Sequence, residues 1–225
     1  MPRVDPPVSS GLRDIAPALD ALPLFPLPQT VLFPGCLLPL HVFEPRYRAM
    51  IKDALETHRA LAVVLIAEHV GHSTQGNPPI AEVAGVGTIL DHAELPGGRY
   101  NILVRGRARV HLEELPFVPP YRRAAARVLT PPPCEVPSAD ASALVSTANA
   151  FASLVRERDT SFEFRLPRDS TPGAVADLCA HHLVLDARER QAILETLDVT
   201  ARVRRVAEVL AVQRLALHPE RGDVN

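Results

Sequence analysis

Short apolar runs, separated by proline and glycine, dominate the first 130 residues and predict β-strands rather than long helices. The run Ala60–Ala67 is continuously apolar, which is typical of a strand that is covered on both faces. After a turn at Pro96–Arg99, apolar and polar residues alternate with the period of half-buried strands. The predicted extended segments are Leu22–Phe25, Val31–Phe33, Leu37–Val42, Ala60–Ala67, Val83–Leu95, Tyr100–Leu112 and Arg122–Leu129.

One helix interrupts this strand-rich region. Apolar residues recur at helical spacing from Tyr47 to Leu55, so we predict a helix over residues 44–57. Glu44 and Pro45 suit its first turn, where a carboxylate meets the positive end of the helix dipole and proline needs no donor. Before it, Pro34-Gly35 predicts a type II turn with Gly35 at positive φ.

A proline-rich segment separates this region from a helical one. Thr130–Pro137 holds four prolines, which favours a stiff extended spacer and a domain boundary. Beyond it we predict four helices: one over Asp140–Arg158, and three that begin at the capping residues Thr171, Asp186 and Asp198, the last of them with Arg202 on its polar face. The predicted organisation is a flexible leader over 1–21, a strand-rich lobe over 22–130, a spacer over 131–139, a helical bundle over 140–217 and a tail over 218–225.

Composition narrows the class of protein. The chain has 225 residues, 47% of them hydrophobic, which is enough for a substantial core. The net charge of −2 argues against a dedicated nucleic-acid binder. Cys36, Cys134 and Cys179 lack metal-ligand spacing, and we expect buried reduced thiols in a cytoplasmic protein. We find neither a signal peptide nor a run long enough to cross a membrane.

Three sequence segments resemble the N-terminal, substrate-binding domain of Lon-type ATP-dependent proteases. The first is Leu22–Leu27 with Phe33-Pro34-Gly35 and Leu38-Pro39-Leu40, which lead into Phe43-Glu44-Pro45-Arg46-Tyr47. The second, Gly98–Arg107, is similar to a hairpin of that family, and the third is Asp186–Arg202. The three occur in the family's order and together span roughly residues 22–215.

The resemblance implies an α+β fold: an N-terminal small β-barrel, PUA-like and with one helix, followed by a C-terminal helical bundle. It also implies a protein- or peptide-recognition module that binds unfolded or extended polypeptide. Lys52 is the only lysine, and it lies outside any P-loop pattern or serine-lysine motif, so we expect neither an ATPase nor a protease here. We therefore expect a stand-alone, non-enzymatic adaptor or binder in protein quality control, which works with a separate protease or chaperone.

Catalytic and metal-binding patterns are weak. His69 and His72 form an H-x-x-H pair without further ligands nearby, and the consecutive His181 and His182 point in different directions on a helix. No G-x-S-x-G motif or activated cysteine is evident. We expect no metal, no cofactor and no catalytic residue, although an enzyme with an unrecognised site stays open as an alternative.

Two further segments have competing interpretations. Arg105, Arg107 and Arg109 form either a solvated strand face or a basic stripe for RNA, and a PUA-like barrel keeps RNA binding open as an alternative. The segment Phe43–Tyr47 is either architectural, with Phe43 in the core, or the edge of a groove for extended polypeptide. The candidate peptide-binding residues are therefore Phe43, Glu44, Pro45, Arg46 and Tyr47.

Overall fold

The predicted change from strands to helices divides the molecule. A computed structural model describes residues 12–67, 77–167 and 169–217. The chain forms two compact units, Met1–Thr130 and Pro131–Asn225. Within these described ranges the strands belong to the first unit, and four of the five α-helices belong to the second, so the α+β class is confirmed.

In the described part of the first unit, six strands form one mixed sheet. The elements are a 3-10 helix (Ala16–Ala21), β1 (Leu22–Leu27), β2 (Leu37–Val42), α1 (Pro45–Glu56), β3 (Ala60–Leu65), β4 (Val83–Leu95), β5 (Arg99–Glu114) and β6 (Arg123–Leu129). In the order β2-β5-β4-β3-β1-β6, each strand pairs with the next, and β6 also pairs with β5. The pairing of β1 with β3 is parallel and the others are antiparallel.

The sheet has apolar side chains on both faces. Every residue of β3 is buried, which confirms the prediction of a strand covered on both sides. Its alternate residues Leu61 and Val63 belong to a core cluster with Met50 and Ile51 of α1. The intervening alanines and Val64 belong to a second cluster, with Ile15 from the segment before β1. The strand period of two therefore distributes one apolar run between two cores.

The predicted flexible leader over residues 1–21 is wrong for residues 12–21. Ile15 is completely buried and Ala18 is 2% exposed, and both belong to the second core cluster. Asp14 Oδ2 also forms an ion pair with a terminal nitrogen of Arg107 in β5, at 2.9 Å. Residues 1–11 lie outside the described residues. Residues 12–21 are ordered because their apolar side chains cover one face of the sheet. The prolines of the leader had suggested an irregular segment instead.

The predicted strand over Val31–Phe33 is absent, because this segment crosses the sheet instead of pairing with it. A Cβ atom on Gly85 would lie 1.9 Å from the Leu32 carbonyl oxygen, and one on Gly106 would lie 2.0 Å from that of Phe33. Only glycine allows such an approach. The turn that follows is as predicted: Gly35 has φ +81°, and the Cys36 amide donates to the Phe33 carbonyl at 3.2 Å.

The described residues of the second unit contain four helices: α2 (Ser138–Arg158), α3 (Pro172–Leu183), α4 (Ala187–Glu195) and α5 (Val199–Leu217). All three predicted caps are confirmed, because the side chains of Thr171, Asp186 and Asp198 accept bonds from the amides three residues later. The helical region begins at Ser138, so the predicted spacer over 131–139 is two residues too long. The predicted tail over 218–225 lies outside the described residues.

A buried ion pair joins α3 to α5. The Arg202 Nε atom lies 3.0 Å from Asp177 Oδ1, with side-chain exposures of 4% and 6%. Arg202 also donates to the Thr196 carbonyl at 2.7 Å. The sequence pattern had assigned Arg202 to the polar face of this helix, and that interpretation is wrong, because Asp177 offers a buried partner.

Candidate functional site

The predicted peptide-binding segment lies where β2 ends and α1 begins. Phe43 is 61% exposed, so the part of the architectural interpretation that places Phe43 in the core is wrong. Along β2 the residues Leu37, Pro39 and His41 are exposed, and Phe43 continues this alternation past the strand end. Its ring stacks on that of His41 with the centroids 6.1 Å apart. The strand phase therefore places this aromatic side chain in solvent.

Glu44 and Arg46 form an ion pair in the first turn of α1. The Arg46 Nε atom donates to Glu44 Oε2 at 3.0 Å, and a terminal nitrogen of Arg46 lies 2.9 Å from the same oxygen. The Glu44 carbonyl accepts from the amides of Tyr47 and Arg48, which begins the helix, and Pro45 follows at the first helical position. The Arg46 guanidinium lies 4.5 Å from the centre of the Tyr47 ring. The corner thus stacks a cation on an aromatic ring.

Arg46 and Tyr47 also line a pocket of about 170 Å³ in the first unit. Its lining comes from β1, from the first turn of α1, from Asn77 and from the segment between β5 and β6. Buried residues form the floor and more exposed ones the rim. We call it the aromatic pocket, and its lining residues are Leu24, Pro26, Arg46, Tyr47, Asn77, Phe117, Pro120, Tyr121 and Arg122.

Tyr121 is held in place by partners from two elements. Its hydroxyl donates to Asp53 Oδ2 of α1 at 2.7 Å and accepts from Arg123 at 2.8 Å. Burial raises the pKa of Tyr121, and the hydrogen bond to Asp53 raises it further. Burial likewise raises the pKa of Tyr47. Both phenols are therefore neutral at physiological pH and present uncharged rings to the pocket.

Arg122 is a fixed part of the floor, with 9% of its surface exposed. Its Nε atom donates to Glu114 Oε1 at 2.9 Å, and a terminal nitrogen lies 2.5 Å from the other carboxylate oxygen. The remaining terminal nitrogen donates to the Pro78 carbonyl at 2.7 Å. Because these bonds engage the guanidinium on three sides, Arg122 forms a fixed, planar part of the pocket floor, and its charge is paired with Glu114.

The structure brings together only part of the predicted site. Arg46 and Tyr47 line the aromatic pocket, and Glu44 contacts it through Arg46; Phe43 and Pro45 are not among its lining residues. Sequence reasoning missed the lining residues Phe117, Pro120 and Tyr121. A signal was present, since Phe117 and Val118 are large apolar residues in a proline-rich connection, and they are 49% and 64% exposed.

The basic stripe has a different environment from the one expected. Arg107 donates to Thr88 Oγ1 at 2.8 Å and forms an ion pair with Asp14. Arg109 is 6% exposed, and its guanidinium lies 5.9 Å from the centre of the Phe33 ring. The interpretation as a solvated strand face is therefore wrong for these two arginines. Arg105 is exposed.

Other candidate chemistry does not assemble in the part of the chain that the structure describes. Among those residues, no group of three or more His, Cys, Asp or Glu side chains could hold a metal ion. His69 and His72 lie outside them. Cys36 and Cys179 are buried, and burial raises the pKa of Cys179 to about 12; Cys134 is exposed, which corrects the expectation that it is buried. None of the described helices is long and apolar enough to cross a membrane.

Comparison with known proteins decides the family. The family model of the substrate-binding domain of ATP-dependent protease La (Lon) matches residues 21–212. The chain belongs to the Lon substrate-binding domain family. The Lon protease of Roseiflexus castenholzii is 30% identical over 220 residues, which cover 95% of this chain and 26% of that protein. The Lon protease of Anaeromyxobacter dehalogenans is also 30% identical, with 95% of this chain and 25% of that protein covered. The chain thus spans about a quarter of the length of these relatives.

Solved structures agree on the fold. A Lon N-terminal domain protein from Xanthomonas campestris matches with a TM-score of 0.58 and 23% identity, covering 88% of this chain and 99% of that one. The N-terminal domain of the Mycobacterium avium complex Lon protease matches with the same TM-score and 20% identity, covering 85% and 98%. The resemblance inferred from the sequence motifs is therefore confirmed, and it extends across both units of this Lon-family chain.

Proposed function

We propose that the first unit binds unfolded or extended polypeptide through side-chain contacts at the aromatic pocket and at Phe43, without catalysing a reaction. The observation that carries the proposal is an open pocket with three aromatic rings in a domain of a substrate-binding family. Phe43 adds exposed apolar surface close in sequence to Arg46 and Tyr47, and the lining residue Phe117 is itself 49% exposed. Such surface on a folded domain is a common feature of protein-interaction sites.

The edge of the sheet at β2 is a poorer binding mode than the pocket. Among the described strands, β2 pairs with β5 alone. The Cys36 carbonyl accepts from the Gly106 amide, so by alternation the backbone groups of Pro39 and His41 face away from β5. Pro39 offers no N–H on that outer side. Proline at such a position protects an edge against strand addition, which favours capture by side chains.

The proposal also concerns how the strands of the first unit are arranged. We infer that the six strands form a small PUA-like barrel, which the pairing of β6 with both β1 and β5 supports. RNA binding on such a barrel is not favoured, because Arg107 and Arg109 are engaged within the protein. An enzymatic role has no support from an activated nucleophile among the described residues.

The partners belong to the proposal as well. The relatives are Lon proteases, so we propose that this domain hands captured polypeptide to a protease or chaperone as an adaptor in the cytoplasm. Affinity capture from native cytosol with mass spectrometry tests whether that partner is a separate chain. Repeated recovery of a protease or chaperone, lost with Phe43→Ser, is the expected result.

The binding itself is tested with a fluorescently labelled, permanently unfolded polypeptide such as reduced and carboxymethylated lactalbumin. Anisotropy titration should give saturable binding, and Phe43→Ser should raise Kd about fivefold, equivalent to a loss of about 1 kcal/mol. Leu185→Ser, at a residue of the second unit that is 65% exposed, is the matched control and should leave Kd unchanged. Absence of binding, or equal losses in both variants, would contradict the proposal.

A further inference from the structure

Part of one face of the sheet is covered by residues 12–21, which we call the strap. The strap lies against β1 and β6, and its residue Ile15 is completely buried in the core cluster on this face. Asp14 of the strap pairs with Arg107 of β5 at 2.9 Å, and Arg107 donates to Thr88 of β4 at 2.8 Å. The strap therefore binds the sheet through apolar side chains and one carboxylate-arginine pair.

The same face of the sheet continues beyond the strap across β4, β5 and β2. In the strand register, Arg105 of β5 lies between Thr88 of β4 and Leu37 of β2. Residues directly opposite one another on paired strands have side chains on the same face. Because Thr88 also contacts Arg107, the two regions adjoin. The next row on this face consists of Asp91, Leu103 and Pro39.

This region has the same chemistry as the part under the strap, but it is open to solvent. Leu37 is 41% exposed, Pro39 is exposed and Leu103 is half-buried. Arg105 is exposed, and its side chain makes no hydrogen bond or ion pair with another described residue. We call the region formed by Leu37, Pro39, Leu103 and Arg105 the uncovered surface.

A segment with the composition of the strap matches the uncovered surface in both apolar contact and charge. An apolar side chain over Leu37 and Leu103 removes exposed apolar area from water. A carboxylate beside it reaches Arg105, whose planar guanidinium suits carboxylate binding. Asp91 lies on the β4 side of this row and repels a second carboxylate there. The charge pattern therefore directs an incoming carboxylate to the β2 side of Arg105.

We propose that the uncovered surface docks a short segment of a partner protein in which an apolar residue stands next to Asp or Glu. The segment lies beside the strap and repeats its contacts, with its carboxylate on Arg105 and its apolar side chain on Leu37 and Leu103. This surface and this ligand differ from the proposed capture of unfolded polypeptide at the aromatic pocket. The inference does not depend on that function.

The test uses a peptide with the sequence of the strap, because that sequence carries the required chemistry. NMR titration of the isotope-labelled full chain should shift amide signals of β2 and of β5 around Arg105. Arg105→Gln should raise Kd about threefold, as for a partly exposed ion pair. The matched control is Arg127→Gln. Arg127 is exposed on β6 opposite His111, which alternation places on the other face of the sheet, so Kd should stay unchanged.

Peptide variants test the charge and the apolar contact separately. A peptide with Asp14→Asn and Asp20→Asn should bind wild type and Arg105→Gln equally, because each change removes the same ion pair. A peptide with Ile15→Ser should bind more weakly than the strap sequence to both proteins. In the protein, Asp91→Asn should lower Kd for the acidic peptide, since it removes a like charge.

Displacement of the strap gives a different pattern from docking beside it. In that case Asp14→Asn in the protein should lower Kd, and Arg105→Gln should have no effect. That pattern, absence of peptide binding, or equal effects of Arg105→Gln and Arg127→Gln would overturn the inference. Reduced and carboxymethylated lactalbumin should bind Arg105→Gln as tightly as wild type. If lactalbumin binds and the strap peptide does not, only this inference fails; the reverse result refutes the proposed function alone.

Discussion

Replacing Arg202 by Met should strongly destabilise the second unit, because it removes the partner of a buried carboxylate. Asp177 is 4% exposed as a residue and would keep its place between helices without the guanidinium at 3.0 Å. Removing one member of a buried ion pair costs about 3–5 kcal/mol, since the remaining charge stays desolvated. The Thr196 carbonyl also loses its donor at 2.7 Å. We therefore expect the free energy of unfolding to fall by about 3–5 kcal/mol.

The same helix supplies the matched control. Arg205 pairs with Glu189 at 3.1 Å, but these side chains are 40% and 43% exposed. Water and salt screen such a pair, so Arg205→Met should cost at most about 1 kcal/mol. The double variant Asp177→Leu with Arg202→Met removes both charges. It should recover most of the loss, because an apolar replacement of a buried pair is often neutral or stabilising.

The measurement is urea unfolding followed by circular dichroism at the helical band, which reports mainly on the second unit. The chain contains no tryptophan, so intrinsic tryptophan fluorescence offers no alternative signal. A midpoint that shifts without a change of slope identifies a stability effect. The reasoning is refuted if Arg202→Met and Arg205→Met have equal effects, or if the double variant is as unstable as Arg202→Met alone.

Further predictions concern other parts of the chain. Gly35→Val should cost more than about 1 kcal/mol in thermal unfolding, because its φ of +81° strains a β-branched residue while its Cβ meets no atom; an unchanged Tm would contradict this. At pH 8 iodoacetamide should modify exposed Cys134 and spare buried Cys179, as read by mass spectrometry. The thiol pKa of Cys179 rises from 9.0 to about 12 on folding, so between these pH values the thiol ionises in the unfolded state only. The free energy of unfolding should therefore fall as the pH increases from 9.0 to about 12, more steeply than in Cys179→Ala. Equal pH dependence in the two proteins would refute this prediction. A fragment of residues 1–130 should fold alone and retain polypeptide binding, and an unfolded fragment by circular dichroism would show dependence on the second unit. With ATP, Mg²⁺ and unfolded casein the protein should show background rates, and turnover that disappears in Lys52→Ala would refute this.

Local patterns in the sequence determined the elements well. The caps at Thr171, Asp186 and Asp198 involve a side chain and an amide three residues away, so their chemistry is legible without tertiary information. The turn at Gly35 is likewise local, since proline presets one dihedral angle and glycine permits the other. The family motifs are short ordered runs of this same kind.

Only the tertiary structure determined how exposed individual side chains are. Periodicity separates the two faces of a strand or helix but does not say which residue on a polar face finds a buried partner. Arg202 and Arg109 are therefore buried against expectation, and Phe43 is exposed because the alternation of β2 continues past its end. Residues 12–21 are ordered because the sheet offers Ile15 and Ala18 an apolar face.

The aromatic pocket was determined by tertiary structure alone. Tyr47 is on α1 and Tyr121 is 74 positions later in the chain, and only strand pairing and the hydrogen bond from Tyr121 to Asp53 bring their elements together. The sequence identified the corner at Glu44 and Arg46, because its residues are consecutive. It missed the opposite wall, because proximity between distant segments depends on the long-range packing of the sheet.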